Sequence, residues 1–167
     1  MKSTDYSLIR DTAAKQEELL RFDHFTNRDA LELGNHIANA VYERGIDLAI
    51  CIRKLSGSIL FQHLTELTNG NNENWMRRKF NTVRLMERSS LAAWADAQEK
   101  GEAISGMGLS DLDYVLCGGG FPIRLKSGEL VGVIIVSNLP HEQDHQLLVE
   151  LTADFLGIQD VPEIVFD

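Results

Sequence analysis

Apolar side chains recur at three- and four-residue spacing over residues 5–21, and again over the segment that follows Thr26. This spacing is that of amphipathic helices that bury one face. Thr26 is placed to cap the second helix, and Gly45 supplies the left-handed residue that ends it. Within its apolar stripe, Gly34 would let another backbone come close. The pattern therefore predicts two helices before any strand.

Two later pairs of segments have the pattern of β-hairpins. Residues 47–55 and 58–64 alternate between apolar and polar positions, and residues 121–126 do so less regularly. Residues 130–137 are apolar on both faces, which predicts a strand at the centre of a sheet with a layer on either side. Each pair is joined by a Ser-Gly turn, so its strands are predicted to be antiparallel.

The remaining segments predict two more helices. Residues 73–100 contain neither glycine nor proline, which indicates one long helix. Pro140 followed by the acidic Glu142 and Asp144 is typical of a helix start, and leucines at helical spacing continue that helix. The predicted order is helix, helix, strand, strand, helix, strand, strand, helix. It belongs to the α+β class.

Composition limits the kinds of protein this chain can be. With 167 residues, 44% hydrophobic and 25% charged, residues 1–167 are predicted to form a single domain. The net charge of -9 argues against nucleic-acid or membrane-surface partners. No apolar run is long enough to cross a bilayer or to form a signal peptide, which predicts a cytoplasmic protein. Cys51 and Cys117, in predicted strands without CxxC spacing, are expected to be buried, reduced thiols.

Three arginines and an asparagine of the predicted long helix fall on one stripe. Its members are Arg77, Asn81, Arg84 and Arg88. The stripe is a candidate site for an anion, and the alternative is a solvated face paired with nearby acidic residues or with a neighbouring subunit. Trp75 and Lys79 lie on the adjacent stripe, where Trp75 is expected in the core or an interface.

Two histidines on the last predicted helix are a second candidate for chemistry. His141 and His145 are four residues apart, so both imidazoles lie on one helix face, and Asp144 beside them can orient either ring. A metal site needs a further ligand that the sequence does not supply. No metal is therefore predicted, and a helix-end or hydrogen-bonded role is favoured.

The glycine run Gly118–Gly120 is not a nucleotide-binding motif. No Gly-Lys-Ser/Thr follows it, and it does not open a helix. Glycines before a strand favour a bulge or a close backbone approach, and the alternative is a loop that cradles a ligand together with Phe121 and Pro122.

Several motifs together resemble a known family. They are Asn74-Trp75-Met76-Arg77-Arg78-Lys79, Gly119-Gly120-Phe121-Pro122-Ile123, Gly132, Ser137, Leu139-Pro140 and Asp144-His145. In this order the chain resembles the uncharacterised branch of the GlcG/HbpS-like haem-degrading-domain family. The resemblance implies a profilin-like α/β sandwich, with an antiparallel sheet of about five strands flanked by helices, and a homo-oligomer (a dimer or larger ring). It also implies haem as a possible cofactor, because some relatives bind it.

The chain departs from the family pattern at one turn. Asn138 stands where the resemblance leads us to expect glycine, although asparagine tolerates a positive φ better than most residues.

Three functional hypotheses follow. The first is a small-molecule-binding domain with an anionic, haem-like ligand held between the long helix and the glycine run. The second is an oligomeric scaffold. The third is an enzyme acting on a small metabolite; no catalytic residue is assigned, and the candidates for its acid or base are Lys79, His141, Asp144 and His145. The candidate ligand-binding residues are Trp75, Arg77, Lys79, Arg84, Gly119, Gly120, Phe121, Pro122, His141, Asp144 and His145.

Overall fold

A computed structural model describes residues 4–166 as one sheet surrounded by helices. In chain order the elements are α1 (Tyr6–Leu19), α2 (Asn27–Arg44), β1 (Ala49–Lys54), β2 (Ile59–Leu64), α3 (Gly70–Met86), α4 (Ser90–Lys100), a 3₁₀ turn (Ile104–Met107), β3 (Gly120–Arg124), β4 (Leu130–Ser137) and α5 (His141–Leu156). Both hairpins, the first two helices and the last helix lie where the sequence predicts them. None of the helices in this part of the chain combines the length and hydrophobicity needed to cross a membrane.

The sheet is antiparallel throughout and has the strand order β2-β1-β4-β3. Its central strands are β1 and β4, so the prediction that the apolar strand lies centrally is confirmed. Between residues 4 and 166 the sheet has four strands rather than the predicted five. The α+β class is confirmed.

Helices cover both faces of the sheet. On one face α2 and α5 pack against side chains that include Ile134 and Val136 of β4. On the other face α3 packs against Val133 and Ile135, the alternating positions of the same strand. Alternate side chains of a strand point to opposite faces, so an all-apolar strand requires two covering layers. The result is the predicted sandwich.

Gly34 in α2 makes room for a side chain, not for the backbone that the sequence led us to expect. A Cβ at this position would overlap the ring of Phe61 in β2. Thr26 and Asp29 form a capping box at the start of α2, and Gly45 ends the helix in the left-handed conformation. The sequence signals at both ends of this helix therefore act as predicted.

The prediction of one long helix over residues 73–100 is wrong. Helix α3 ends at Glu87, a non-glycine residue with a φ of 55°, and α4 begins after Ser89. The hydroxyl of Ser89 accepts a hydrogen bond from Ala92 N, and the hydroxyl of Ser90 accepts one from Gly120 N. These bonds stabilise a break between α3 and α4 that local helix propensity does not predict. The bond of Ser90 also links α4 to the sheet.

Replacing Glu87 with glycine is expected to stabilise the protein by up to about 1 kcal/mol. Glycine adopts the left-handed conformation without a Cβ clash, and the contact of Glu87 with Arg124 uses only the backbone carbonyl. Urea denaturation measures the change. Glu87→Ala keeps the Cβ and serves as the control; equal stability of the two variants would contradict the conformational explanation.

The terminal segments pack together beside the sheet. Helix α1 lies against α4, and Ile164 of the segment after α5 is buried between them. Both cysteines are free. Cys51 is buried in β1, as predicted, whereas Cys117 is half-buried and precedes β3, so its placement in a strand is wrong.

Candidate functional site

A cleft of about 370 Å³ opens where the N-termini of α3 and α5 meet the loop that joins β4 to α5. The lining residues are Asn71, Asn72, Trp75, Lys79, Cys117, Ser137, Asn138, Leu139, His141 and Asp144. Four of them, namely Trp75, Lys79, His141 and Asp144, are candidates that the sequence identifies.

A buried ion pair joins α3 to α5 beside the cleft. Lys79 Nζ lies 3.0 Å from Asp144 Oδ2 and donates to Val136 O at 2.9 Å. The other oxygen of Asp144 accepts a hydrogen bond from Leu139 N at 3.1 Å. Burial raises the pKa of the Asp144 carboxyl, and the Lys79 ammonium partly opposes that rise. The pair links two helices and the central strand through atoms withdrawn from water.

Gly119 makes room for this pair. Its φ is 118°, and a Cβ here would lie 2.5 Å from Lys79 Nζ and 2.7 Å from Val136 O. A side chain would therefore occupy the space of the ammonium group and of a strand carbonyl. The interpretation of the glycine run as a close backbone approach is confirmed at this position.

His141 has a defined tautomer. Its Nδ1 accepts a hydrogen bond from Gly118 N at 3.0 Å, and its ring meets the Trp94 ring edge-on with centroids 4.7 Å apart. Burial lowers the pKa of His141, so the imidazole is neutral at pH 7. A neutral ring that accepts at Nδ1 carries its proton at Nε2. His141 therefore presents an N–H donor, which lies 3.2 Å from the Glu142 carboxylate.

His145 is not part of the cleft lining. Its side chain is buried, and its Nε2 lies 2.7 Å from Gln16 Oε1. The Gln16 amide in turn donates to Pro162 O, so His145 is tied to α1 and to the C-terminal segment. Burial lowers the pKa of His145 to about 3, which keeps the ring neutral. No cluster of three or more potential metal ligands occurs among residues 4–166.

The residues of the basic stripe make separate contacts in the structure. Arg77 donates to Leu112 O at 2.6 Å and pairs with Asp113, while Asn81 donates to Asp113 O at 2.8 Å. These bonds fasten to α3 the loop that leads into the glycine run. Arg77 thus supports the cleft indirectly and does not line it.

The other candidates lie beside or beneath the cleft. Arg84 stacks on Phe80 and is absent from the lining. Gly120, Phe121 and Pro122 belong to β3 and are buried. Trp75 is half-buried at the cleft, with the Arg78 guanidinium 4.7 Å from its ring centroid.

The polar wall of the cleft was not predicted from the sequence. Asn72 Nδ2 lies 3.4 Å from Ser137 Oγ, and Asn138 Nδ2 donates to Asp47 O at 3.0 Å. Asn138 has a φ of 147°, at the turn where the family resemblance led us to expect glycine. Cys117, Asn71 and Leu139 also line the cleft without having been candidates. Burial raises the pKa of Cys117 and keeps it a thiol. Two features of the sequence could have indicated this wall. They are Asn138 at a turn where glycine was expected, and Asn71 and Asn72 just before the predicted start of the long helix.

Comparison with known proteins identifies the family. The family model for "Haem degrading protein HbpS-like" matches residues 25–153. The chain belongs to the HbpS-like family. UPF0303 protein YE1367 of Yersinia enterocolitica is 37% identical over 145 residues, which are 86% of each protein. The resemblance inferred from the motifs is thereby confirmed.

Solved structures agree with this assignment of the HbpS-like chain. The crystal structure of the Ybr137w protein matches with a TM-score of 0.81 and 25% identity, over 94% of this chain and 98% of that one. The crystal structure of a PduOC:heme complex matches with a TM-score of 0.65 over 77% and 93% of the two chains. Its 18% identity supports a shared fold alone.

Proposed function

We propose that this protein binds a small molecule through a carboxylate, or a similar oxygen acceptor, in the cleft beside Lys79 and Asp144. The observation that carries the proposal is the convergence of hydrogen-bond donors whose capacity the protein does not fill. Clefts that combine apolar and aromatic walls with a few convergent polar groups are typical ligand sites.

The donors are counted from the contacts of each side chain. The Lys79 ammonium has three N–H groups, and two acceptors, Val136 O and Asp144, occupy two of them. Asn72 Nδ2 has only long contacts of 3.4 and 3.5 Å, whereas Nε2–H of His141 already faces the Glu142 carboxylate at 3.2 Å. The Asp144 oxygens already accept protein donors. Lys79 and Asn72 therefore keep donor capacity that an oxygen acceptor of a ligand can use.

The N-terminus of α5 at the cleft supports the same ligand class. Helix α5 begins after Pro140 without a side-chain cap, which leaves early backbone N–H groups unfilled by a side chain. Such ends carry partial positive charge and stabilise anions. This contribution adds to the side-chain donors.

Haem does not fit these residues as an axially ligated group. Axial histidine needs a lone pair at the coordinating nitrogen, and the Gly118 bond to Nδ1 places the proton on Nε2 of His141. Burial raises the pKa of Cys117, which keeps it a thiol and not a thiolate ligand for iron. A smaller acid fits the cleft better.

We propose binding rather than catalysis as the role of this site. Lys79 and Asp144 form an ion pair with each other. His145 is buried and does not reach the cleft. A general acid or base needs access to the reacting group and a pKa near the working pH. The homo-oligomer, the cytoplasmic location and the absence of nucleic-acid partners stay predictions.

A panel of two- to five-carbon mono- and dicarboxylates, each paired with its amide, tests the proposal. Thermal unfolding, monitored by calorimetry, is expected to find acids that raise the Tm, whereas their amides do not. A ligand at 100 times its Kd stabilises the folded protein by about 2.7 kcal/mol. Hemin is titrated in parallel and is expected to give no saturable Soret shift that depends on His141.

Two variants locate the binding. Asn72→Ala removes a cleft donor and is expected to weaken binding about tenfold, while Asn35→Ala, on the exposed side of α2, leaves it unchanged. If no acid binds, if amides bind equally well, or if Asn72→Ala binds like wild type, the proposed function is wrong.

A further inference from the structure

Arg84 is the member of the basic stripe that the cleft and its supporting loop leave without a role. Its guanidinium carbon lies 5.0 Å from the centroid of the Phe80 ring, and that of Arg53 lies 5.1 Å from the same centroid. Two positive charges from different elements, α3 and β1, are thus held around one aromatic side chain. Phe80 itself is only 2% exposed, so its position is fixed by the core.

Neither arginine has an acidic partner. Among the ion pairs of residues 4–166, Arg77 pairs with Asp113 and Arg88 with Asp96, but none involves Arg53 or Arg84. The one backbone contact of Arg84, to Leu55 O, is 3.5 Å long. In a chain of net charge -9, no carboxylate among residues 4–166 neutralises either of the two guanidinium groups at Phe80.

Arg53 also has an unfilled donor. Its Nε is buried and has no hydrogen-bond partner. A buried guanidinium N–H without an acceptor costs free energy.

An irregularity of the β1 backbone sets the direction of the Arg53 side chain. The pairing of β1 with β2 shifts register between Ile52 and Arg53, as at a β-bulge. Bulges re-aim the side chain that follows them and recur near functional sites. The arrangement therefore depends on an irregularity of the strand as well as on the stacking.

We propose that Arg53 and Arg84 form a second ligand site, which binds the phosphate or pyrophosphate group of a small molecule. Guanidinium groups donate paired hydrogen bonds to phosphate oxygens, and two of them suit a ligand with more than one negative charge. Stacking on Phe80 orients both groups before the ligand arrives. None of these three residues lines the cleft, so the site is independent of the function proposed above.

Calorimetric titration of the whole chain with sodium pyrophosphate, at low ionic strength, tests the site. Wild-type protein is expected to bind with a saturable one-site isotherm. Arg53→Gln and Arg84→Gln are each expected to weaken binding at least tenfold, and Arg84→Lys to recover only part of the loss because it keeps charge without the planar fork. Inorganic phosphate is expected to bind more weakly than pyrophosphate.

Lys54→Gln is the matched control, since it removes one positive charge from the adjacent, exposed position. Its pyrophosphate affinity is expected to equal that of wild type. The proposal is overturned if pyrophosphate does not saturate, if Lys54→Gln weakens binding as much as Arg53→Gln, or if the arginine variants change only the oligomer mass in light scattering. That last result would assign the pair to a subunit contact.

Discussion

Replacement of Lys79 with methionine is expected to lower the free energy of unfolding by about 3–5 kcal/mol at neutral pH. Methionine fills a similar volume, but it leaves the Asp144 carboxylate buried without its counter-charge. The remaining donor to Asp144 Oδ1, Leu139 N, does not replace an ammonium. Urea denaturation monitored by tryptophan fluorescence measures the loss.

The loss is expected to shrink as the pH falls from neutral toward the ordinary carboxyl pKa. Burial already raises the pKa of Asp144 in the folded protein, and removal of Lys79 takes away the charge that opposes this rise. The folded variant then binds the Asp144 proton more tightly than the unfolded chain does. Its stability is highest below the ordinary carboxyl pKa and falls as the pH rises through the raised value.

Two controls separate this effect from loss of packing. Lys100→Met breaks an exposed pair with Asp96 and is expected to cost no more than about 1 kcal/mol. The double variant Lys79→Met, Asp144→Leu removes both charges and is expected to be more stable than Lys79→Met alone. A Lys79→Met variant within 1 kcal/mol of wild type at pH 7, or one without pH dependence, would count against an essential buried pair.

Replacement of Gly119 with alanine is expected to destabilise the protein by at least about 3 kcal/mol. The new Cβ meets Lys79 Nζ, which can move, and Val136 O, which β4 holds in place. Relief of the clash requires either displacement of the ammonium from Asp144 or distortion of the central strand. The change is measured by the same urea denaturation.

Gly57 provides a matched control for the backbone. Its φ of 98° is also positive, but nothing lies within 4 Å of a Cβ built there. Gly57→Ala is expected to cost about 1–2 kcal/mol from conformation alone. If both variants lose the same stability, the contact of Gly119 with the ion pair is not the reason for glycine at that position.

Local signals predicted much of the fold. The cap at Thr26, the terminator at Gly45 and the Ser-Gly turns of the hairpins act within a few residues of themselves, and the structure confirms them. The helix break at Glu87 escaped prediction because no glycine or proline marks it. It is favoured by Ser90, whose partner Gly120 is 30 residues away.

The candidate site could be predicted only in part. Motif resemblance selected Lys79 and Asp144 as separate candidates, but it gave no reason to join them. Helical spacing grouped Arg77 with Arg84. In the structure, Arg77 bonds to a loop carbonyl and Arg84 stacks on the Phe80 ring. Spacing shows which side chains share a helix face; the elements packed against each part of that face determine their partners.

The sequence by itself determined the α+β class, the two hairpins, the central place of the apolar strand and the family, because these depend on short-range periodicity and on motif order. Only the tertiary structure decided that Lys79 meets Asp144, 65 residues later, beside a cleft. That pairing depends on where α3 and α5 pack around β4 and on the missing Cβ of Gly119. Burial gives the ion pair its energetic weight, and burial is a property of the packed chain.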